Sequence, residues 1–172
     1  MKRILICIAF VLHSCLANAQ IVSDGQYLTI RINNYVLGKN LNKVDKRFKN
    51  DETYPLSKYV VIEIENASND TFSFFEHRNI LAVDRVSYFD SVGNVTEGIN
   101  CYFEIEPSTI LLPKSHKAFI HQFINFPDTE YCVFTINFIK SDKGNNMNPL
   151  TQEVKFSFKK LIPYGSESEG NN

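Results

Sequence analysis

Apolar and polar residues alternate with a period of two along much of this chain. The clearest run spans residues 59–65, in which Val60, Ile62 and Ile64 share one face and glutamates lie on the other. Alternation with β-branched residues indicates a strand that buries one face. The polar stretch 66–70 then predicts a turn, because Asn, Ser and Asp side chains hydrogen-bond their own backbone. An apolar stretch follows and predicts a second strand.

Similar short segments continue towards the C-terminus, with turn residues between them. Gly93 and Asn94, for example, form a two-residue hairpin signal. We identify about eight short strands and no convincing amphipathic helix, whereas parallel strands need crossover connections that are usually helical. The pattern therefore predicts an all-β fold, an antiparallel β-sandwich of about eight strands. We expect its interior to contain Val60, Ile62, Ile64, Phe103, Phe134, Ile136, Phe138 and Phe156.

One long polar connection, residues 38–57, interrupts the strands. Structureless loops of more than about 12–15 residues are uncommon in compact domains, so this one is either a functional loop or contains a short helix. Leu41, Val44 and Phe48 have roughly helical spacing, but we expect a solvated, irregular crossing. This connection and the polar tip 141–149 provide the candidate binding residues: Lys43, Lys46, Arg47, Lys49, Asn145 and Asn146.

The N-terminal residues 1–19 have the pattern of a secretory signal peptide. Lys2 and Arg3 precede the apolar run 4–12, and Ala17-Asn-Ala19 resembles a cleavage site. The apolar run is too short to cross a bilayer of about 30 Å as a helix. We therefore expect a secreted protein of the periplasm or cell surface. It would have one domain over residues 20–164 and a polar, disordered tail over 165–172.

Cys15 offers a second interpretation of the N-terminus. Residues 12–15 resemble a loose lipobox, in which the cysteine receives a lipid and becomes the new N-terminal residue. His13 departs from the small or aliphatic residue that usually occupies its position. Plain cleavage before Gln20 and a lipid anchor at Cys15 both remain open.

Cys101 and Cys132 are the two cysteines left after signal removal. Export would take them to an oxidising compartment, and each shares a face with the apolar residues of its strand. We therefore predict a disulfide between them. The alternative is two buried free thiols on strands that are not neighbours.

The order of elements resembles that of a known class of β-sandwich. The residues concerned are the strand and turn 62–71, the hairpin turn 88–94, the segment 110–119 and the strand 131–134. Together they resemble the immunoglobulin-like and fibronectin-III-like sandwiches of bacterial secreted proteins, and they are similar to the proteinase-inhibitor-type sandwich. The resemblance implies an immunoglobulin-like fold and carries no functional residue, because such folds host unrelated functions.

Charge and motifs narrow the possible functions. The formal net charge is −1, so the chain lacks the basic footprint of a nucleic-acid-binding protein. Neither the hydrolase elbow nor a phosphate-cradling glycine loop is found in the sequence. His116 and His121 are expected on opposite faces of a strand, so they do not predict a shared metal.

Acidic pairs are the remaining candidates for a metal site. Glu63 and Glu65 share one strand face, and so do Glu104 and Glu106. Four carboxylates on neighbouring strands could hold a hard cation, but acidic residues are ordinary on an exposed sheet face, and this is the explanation that we expect.

These observations predict an exported, non-catalytic binding module that acts through loops or a sheet edge. Its partner would be an unknown macromolecule, a protein or a glycan, with no cofactor, no nucleic acid and no membrane span. Two alternatives remain: an enzyme or metal-dependent protein with an unrecognised site, and a structural subunit of a cell-surface assembly.

Overall fold

A computed structural model describes residues 21–24, 27–77, 80–99, 107–123, 129–141 and 149–165. These residues form twelve strands and two short 3₁₀ helices, Gly38–Lys43 and Phe158–Lys160. The strands are β1 Ile21–Asp24, β2 Leu28–Leu37, β3 Lys58–Asn66, β4 Phe72–His77, β5 Ile80–Leu81, β6 Val83–Phe89, β7 Val95–Ile99, β8 Pro107–Leu111, β9 Ser115–His121, β10 Tyr131–Lys140, β11 Pro149–Ser157 and β12 Ile162–Pro163.

The strands form two sheets. The first has the order β1-β2-β3-β9, and β12 runs parallel to β2 over two residues. In the second sheet, β10 is central: β11 pairs along one side, and β6 and β4 share the other side. The hairpin partner β7 adds to β6, while β5 and β8 add to β4. All pairs except β2–β12 are antiparallel within the described residues, which confirms the predicted fold class.

The main core lies between the sheets and confirms the predicted interior. Seven of the eight residues expected inside are at most 3% exposed, and the eighth, Phe103, lies outside the described residues. Aromatic rings join the two sheets: the centroids of Phe74 and Phe119 are 5.1 Å apart, and those of Phe123 and Phe134 are 4.9 Å apart. These rings contribute to the burial of apolar surface, which is the dominant favourable term in folding.

A β-bulge in β2 turns part of its apolar pattern to the opposite face. Arg31 pairs with Glu63 but Asn34 pairs with Val61, so β2 has one extra residue at this point. Since side chains alternate, the extra residue reverses the phase of everything after it. Val36 therefore lies beside Tyr59 on the outer face of the first sheet.

The outer face of the first sheet carries a second apolar cluster. Residues 38–57 fold over it with Leu41 and Phe48 buried, so they do not form the solvated, irregular crossing that we expected. The alternative of a short helix is met only in part, by the 3₁₀ helix Gly38–Lys43, which does not include Val44 or Phe48. The buried members of this cluster are Val36, Leu41, Phe48, Tyr59, Val61 and Ile120.

Two local expectations can be compared with the strands. The predicted Gly93–Asn94 hairpin joins β6 to β7, and Gly93 has φ +90°, a value that suits glycine. Proline commonly ends a strand, but Pro107 begins β8 and pairs with Phe75 of β4. A proline is tolerated there because it is the first residue of its strand.

Several predictions fall on residues outside the described ranges. They include the signal peptide 1–19, the cysteine Cys15 and almost all of the tail 165–172. Among the described residues, neither helix has the length and apolar character needed to cross a bilayer.

Candidate functional site

The connection 38–57, called the 38–57 loop below, is a closed structure whose two ends meet. The backbone N–H of Gly38 donates to the carbonyl of Ser57 at 2.8 Å, and the N–H of Lys39 donates to that of Pro55 at 3.0 Å. Compact surface loops with adjoining ends are frequently functional. Its closure also explains why a connection of this length is ordered without strands of its own.

Gly38 is required by close packing at the point of closure. A Cβ atom on Gly38 would lie 2.5 Å from the carbonyl oxygen of Tyr54 and 3.0 Å from the Cβ of Asp51. The carbonyl of Gly38 also accepts the N–H of Asp51 at 2.9 Å. Backbone from two parts of the loop therefore approaches this residue at a distance that a side chain would prevent.

The underside of the loop is anchored by apolar residues. Leu41 is 4% exposed and Phe48 is 5% exposed, and both pack against Val36, Val61 and Ile120 of the sheet. Burying a Leu or Phe side chain contributes about 1.5–3 kcal/mol. The loop is thus fixed to the sandwich by hydrophobic contacts as well as by its own hydrogen bonds.

Asp51 organises the second half of the loop. Its Oδ1 accepts the backbone N–H groups of Thr53 at 3.0 Å and Tyr54 at 2.9 Å, and its Oδ2 accepts the hydroxyl of Tyr59 at 2.6 Å. The Tyr59 hydrogen bond, followed by the backbone donors, lowers the pKa of Asp51. Burial, together with the hydrogen bond to the carboxylate, raises the pKa of Tyr59. Near neutral pH, Asp51 is therefore a charged acceptor and Tyr59 is a neutral donor.

The structure places all four predicted basic residues of this loop in contact with solvent, and two of them, Lys46 and Lys49, line one groove. Lys43, Lys46, Arg47 and Lys49 are all exposed. Arg47 folds back on Asp45, with Nη2 at 2.5 Å and Nε at 2.9 Å from Oδ2. This hydrogen-bonded pairing lowers the pKa of Asp45. The lysines carry the positive charge that the loop presents to solvent.

A groove of about 600 Å³ opens on this basic side. Lysine ammonium groups and asparagine amides supply hydrogen-bond donors, Phe48 forms part of the wall, and Glu52 is the single acidic residue. Such a set of donors suits carboxylate, sulfate or hydroxyl groups. The groove is lined by Asn42, Lys46, Phe48, Lys49, Asn50 and Glu52.

The other candidate residues are not brought to this loop. Asn145 and Asn146 lie outside the described residues, as does Cys101. Cys132 is fully buried in the main core with no disulfide bond to another described residue, and burial raises the pKa of its thiol. Cys101 follows β7 in the sequence, and Cys132 lies in β10. Within the second sheet, β6 separates these two strands. The predicted disulfide remains a prediction.

The acidic pair on β3 has basic neighbours. Glu65 accepts a hydrogen bond from Arg31 Nη1 at 2.6 Å, and both line a second, polar groove of about 460 Å³ with Glu63 and His116. Glu104 and Glu106 lie outside the described ranges. Within those ranges, no three His, Cys, Asp or Glu residues are grouped as a metal site would need.

The two histidines of β9 lie on opposite faces of the strand, as expected. His116 pairs with Glu65 on the outer face and is exposed, whereas His121 pairs with Val60 on the inner face. His121 Nδ1 lies 2.7 Å from the carbonyl of Leu81, so Nδ1 must carry the proton. Desolvation lowers the pKa of His121 to about 4. His121 is therefore uncharged near neutral pH, and its hydrogen bond to Leu81 links β9 to β5.

Sequence reasoning identified the loop and its cations but missed the residues that shape it. Gly38, Asp51 and Tyr59 were read as parts of a polar connection and a strand. The one local signal was the spacing of Asp51 and Thr53, which is typical of a turn in which an Asp side chain accepts a backbone N–H two residues on.

Comparison of the chain with protein-family models, with curated proteins and with solved structures finds no match.

Proposed function

We propose that this protein is an exported, non-catalytic binding module whose 38–57 loop recognises an acidic macromolecular partner, a protein or a glycan. One observation carries the proposal: the loop is fixed to the sheet on its apolar side and presents lysines on the other. The export part of the proposal rests on the signal-peptide pattern of residues 1–19.

Rigidity of the loop supports a binding role. Association costs free energy whenever a flexible segment must become ordered. Here Leu41 and Phe48 are buried, and Asp51 already satisfies three donors before any partner arrives. The exposed side chains are therefore displayed from a backbone that needs little further ordering, as in other binding loops held by a rigid scaffold.

The charge distribution favours an acidic partner. Residues 38–57 contain five basic and three acidic residues, while the whole chain has a formal net charge of −1. Two of the acids are engaged internally, Asp45 by Arg47 and Asp51 by Tyr59. A basic patch on a weakly acidic protein attracts acidic surfaces and orients them on approach.

The groove provides a place for such a partner to bind. Lys46 and Lys49 lie on its rim, and the amides of Asn42 and Asn50 can donate beside them. Carboxylate groups occur on acidic peptides and on acidic glycans alike, so the groove suits both. The aromatic wall at Phe48 adds apolar contact area.

Affinity capture from the native envelope fraction tests the proposal. The immobilised chain beginning at Gln20 should retain a partner that elutes with increasing salt, because the contact is electrostatic. A double variant, Lys46→Gln with Lys49→Gln, should lose that partner. The matched control is Lys155→Gln with Lys160→Gln, which removes the same charge from exposed positions outside the loop. Equal recovery by the two double variants would contradict the proposal.

A further inference from the structure

The 38–57 loop also carries an exposed apolar turn, whose residues are distinct from those that line the basic groove. Ser57 donates its N–H to the carbonyl of Tyr54 at 3.0 Å, which closes a four-residue turn. Pro55 takes the second position, where proline is favoured because its φ is already suitable. Tyr54 is 64% exposed, Leu56 is 71% exposed, and Pro55 is also exposed. We call residues 54–57 the apolar turn.

The apolar turn is held in place by the backbone around it. Asp51 accepts the N–H of Tyr54, Pro55 accepts that of Lys39, and the carbonyl of Tyr54 packs against Gly38. The backbone of the turn is therefore fixed while its apolar side chains remain in contact with water. Isolated exposed apolar residues are common, but consecutive ones held on one fixed turn indicate a contact site.

Basic residues flank the apolar turn on both sides. Lys39 lies beside the turn, because its backbone N–H donates to the carbonyl of Pro55. Lys58 follows the turn directly in the sequence, and both lysine side chains are exposed. The ammonium group of Lys58 lies 4.8 Å from the centre of the Tyr35 ring. Two acidic residues precede the turn: Asp51 is already engaged by hydrogen bonds within the loop, and Glu52 lines the basic groove. The two exposed charged side chains that flank the turn directly, Lys39 and Lys58, are both cationic.

We propose that the apolar turn docks on an anionic lipid bilayer, with Tyr54 and Leu56 entering the headgroup boundary. Apolar residues beside lysines are the pattern by which peripheral segments bind such surfaces. Tyrosine suits the boundary because its ring is apolar and its hydroxyl is polar. Two large apolar side chains exposed on one short turn suit a deformable lipid surface, whereas a protein partner would need a matching pocket. The inference goes beyond the proposed function, since it concerns residues that do not line the basic groove.

Vesicle sedimentation tests the inference with no other partner present. The chain beginning at Gln20 contains every described strand and lacks Cys15, so any binding cannot come from a lipid anchor. It should sediment with vesicles of phosphatidylglycerol and phosphatidylcholine but not with phosphatidylcholine alone. Replacing Leu56 with Ser should weaken binding about tenfold through lost apolar burial. Lys39→Gln or Lys58→Gln should each weaken it roughly fivefold.

The matched control is Ile110→Ser, which removes an apolar side chain that is 60% exposed on β8. Its vesicle binding should equal that of the unchanged protein. The inference is overturned by absence of binding to the anionic vesicles, by equal binding to both vesicle types, or by equal losses for Leu56→Ser and Ile110→Ser. A partner captured in the envelope assay without vesicle binding would leave the proposed function standing and remove only this inference.

Discussion

The hydroxyl of Tyr59 donates to Oδ2 of Asp51 at 2.6 Å and thereby joins the sheet to the loop that covers it. Tyr59 is 5% exposed at the start of β3 and belongs to the second apolar cluster. Asp51 uses its other oxygen to hold the backbone of Thr53 and Tyr54. One carboxylate thus connects the buried face of the sheet to the exposed apolar turn.

Replacing Tyr59 with Phe should loosen the 38–57 loop and leave the main core intact. The ring still fills its place, but Asp51 loses its hydroxyl donor. We expect faster amide hydrogen exchange at Thr53 and Tyr54, with unchanged exchange at Ile62 in the core. Tyr54→Phe is the control, because it removes an exposed hydroxyl from the same loop. Equal exchange rates in the two variants would contradict this role of Tyr59.

Acid should loosen the same loop in the unchanged protein. The folded pKa of Asp51 is below its ordinary value of 3.8, so the carboxylate stabilises the loop fully above that value. The stabilisation is lost as the pH falls through the lowered pKa. In Tyr59→Phe the loss should be smaller and should be complete at a higher pH, because the largest cause of the lowered pKa is gone. Amide exchange of Thr53 measured against pH detects this shift.

Gly38→Ala should destabilise the protein by about 1–3 kcal/mol, the usual cost of overpacking. The new methyl group would meet the carbonyl oxygen of Tyr54 at 2.5 Å, and a backbone atom held by hydrogen bonds cannot easily yield. Urea unfolding provides the measurement. The neighbouring change Lys39→Ala, at an exposed position, should remain within about 0.5 kcal/mol of the unchanged protein. A Gly38→Ala protein of unchanged stability would show that the loop can relax.

The main core was predictable because alternation is a local property. Ile62 and Phe134 each lie in an uninterrupted run of alternating residues, so their burial follows from the pattern itself. The phase of Val36 could not be predicted in the same way. Its orientation depends on one extra residue in β2 near Asn34, and nothing in the sequence marks that bulge.

The site was predictable only in its composition. Lys46 and Lys49 are visible as cations in a long polar stretch, and the structure places them beside one groove. The packing of Leu41 depends on a sheet face whose apolar residues come from β2, β3 and β9, which are distant in sequence. Gly38 is needed because the chain returns to it some 16 residues later, a contact that local propensities do not encode.

Cys132 should react slowly with alkylating reagents in the folded protein. Its side chain is fully buried in the main core, and burial raises the pKa of the thiol, so little reactive thiolate is present. Mass spectrometry after timed alkylation measures the rate, and labelling as fast as that of a free thiol in solution would contradict the burial. Alkylation after unfolding without a reductant also tests the predicted bridge: two labelled thiols would exclude a Cys101–Cys132 disulfide.

The last prediction concerns His121, which should make the protein sensitive to mild acid. Its pKa is lowered from 6.5 to about 4 by desolvation, so the unfolded chain binds a proton more readily than the folded one. The stability that neutral His121 confers is complete above pH 6.5 and falls with pH until about 4. The loss amounts to at most about 3 kcal/mol, since each pKa unit is worth about 1.4 kcal/mol and part of the ring meets solvent. His121→Asn preserves a donor for the Leu81 carbonyl but does not titrate, so its stability curve should be flatter over this range. His116→Asn, the same substitution at an exposed site on the same strand, should keep the slope of the unchanged protein. Urea unfolding across this pH range distinguishes the two variants, and equal slopes for both would show that His121 does not control the acid response.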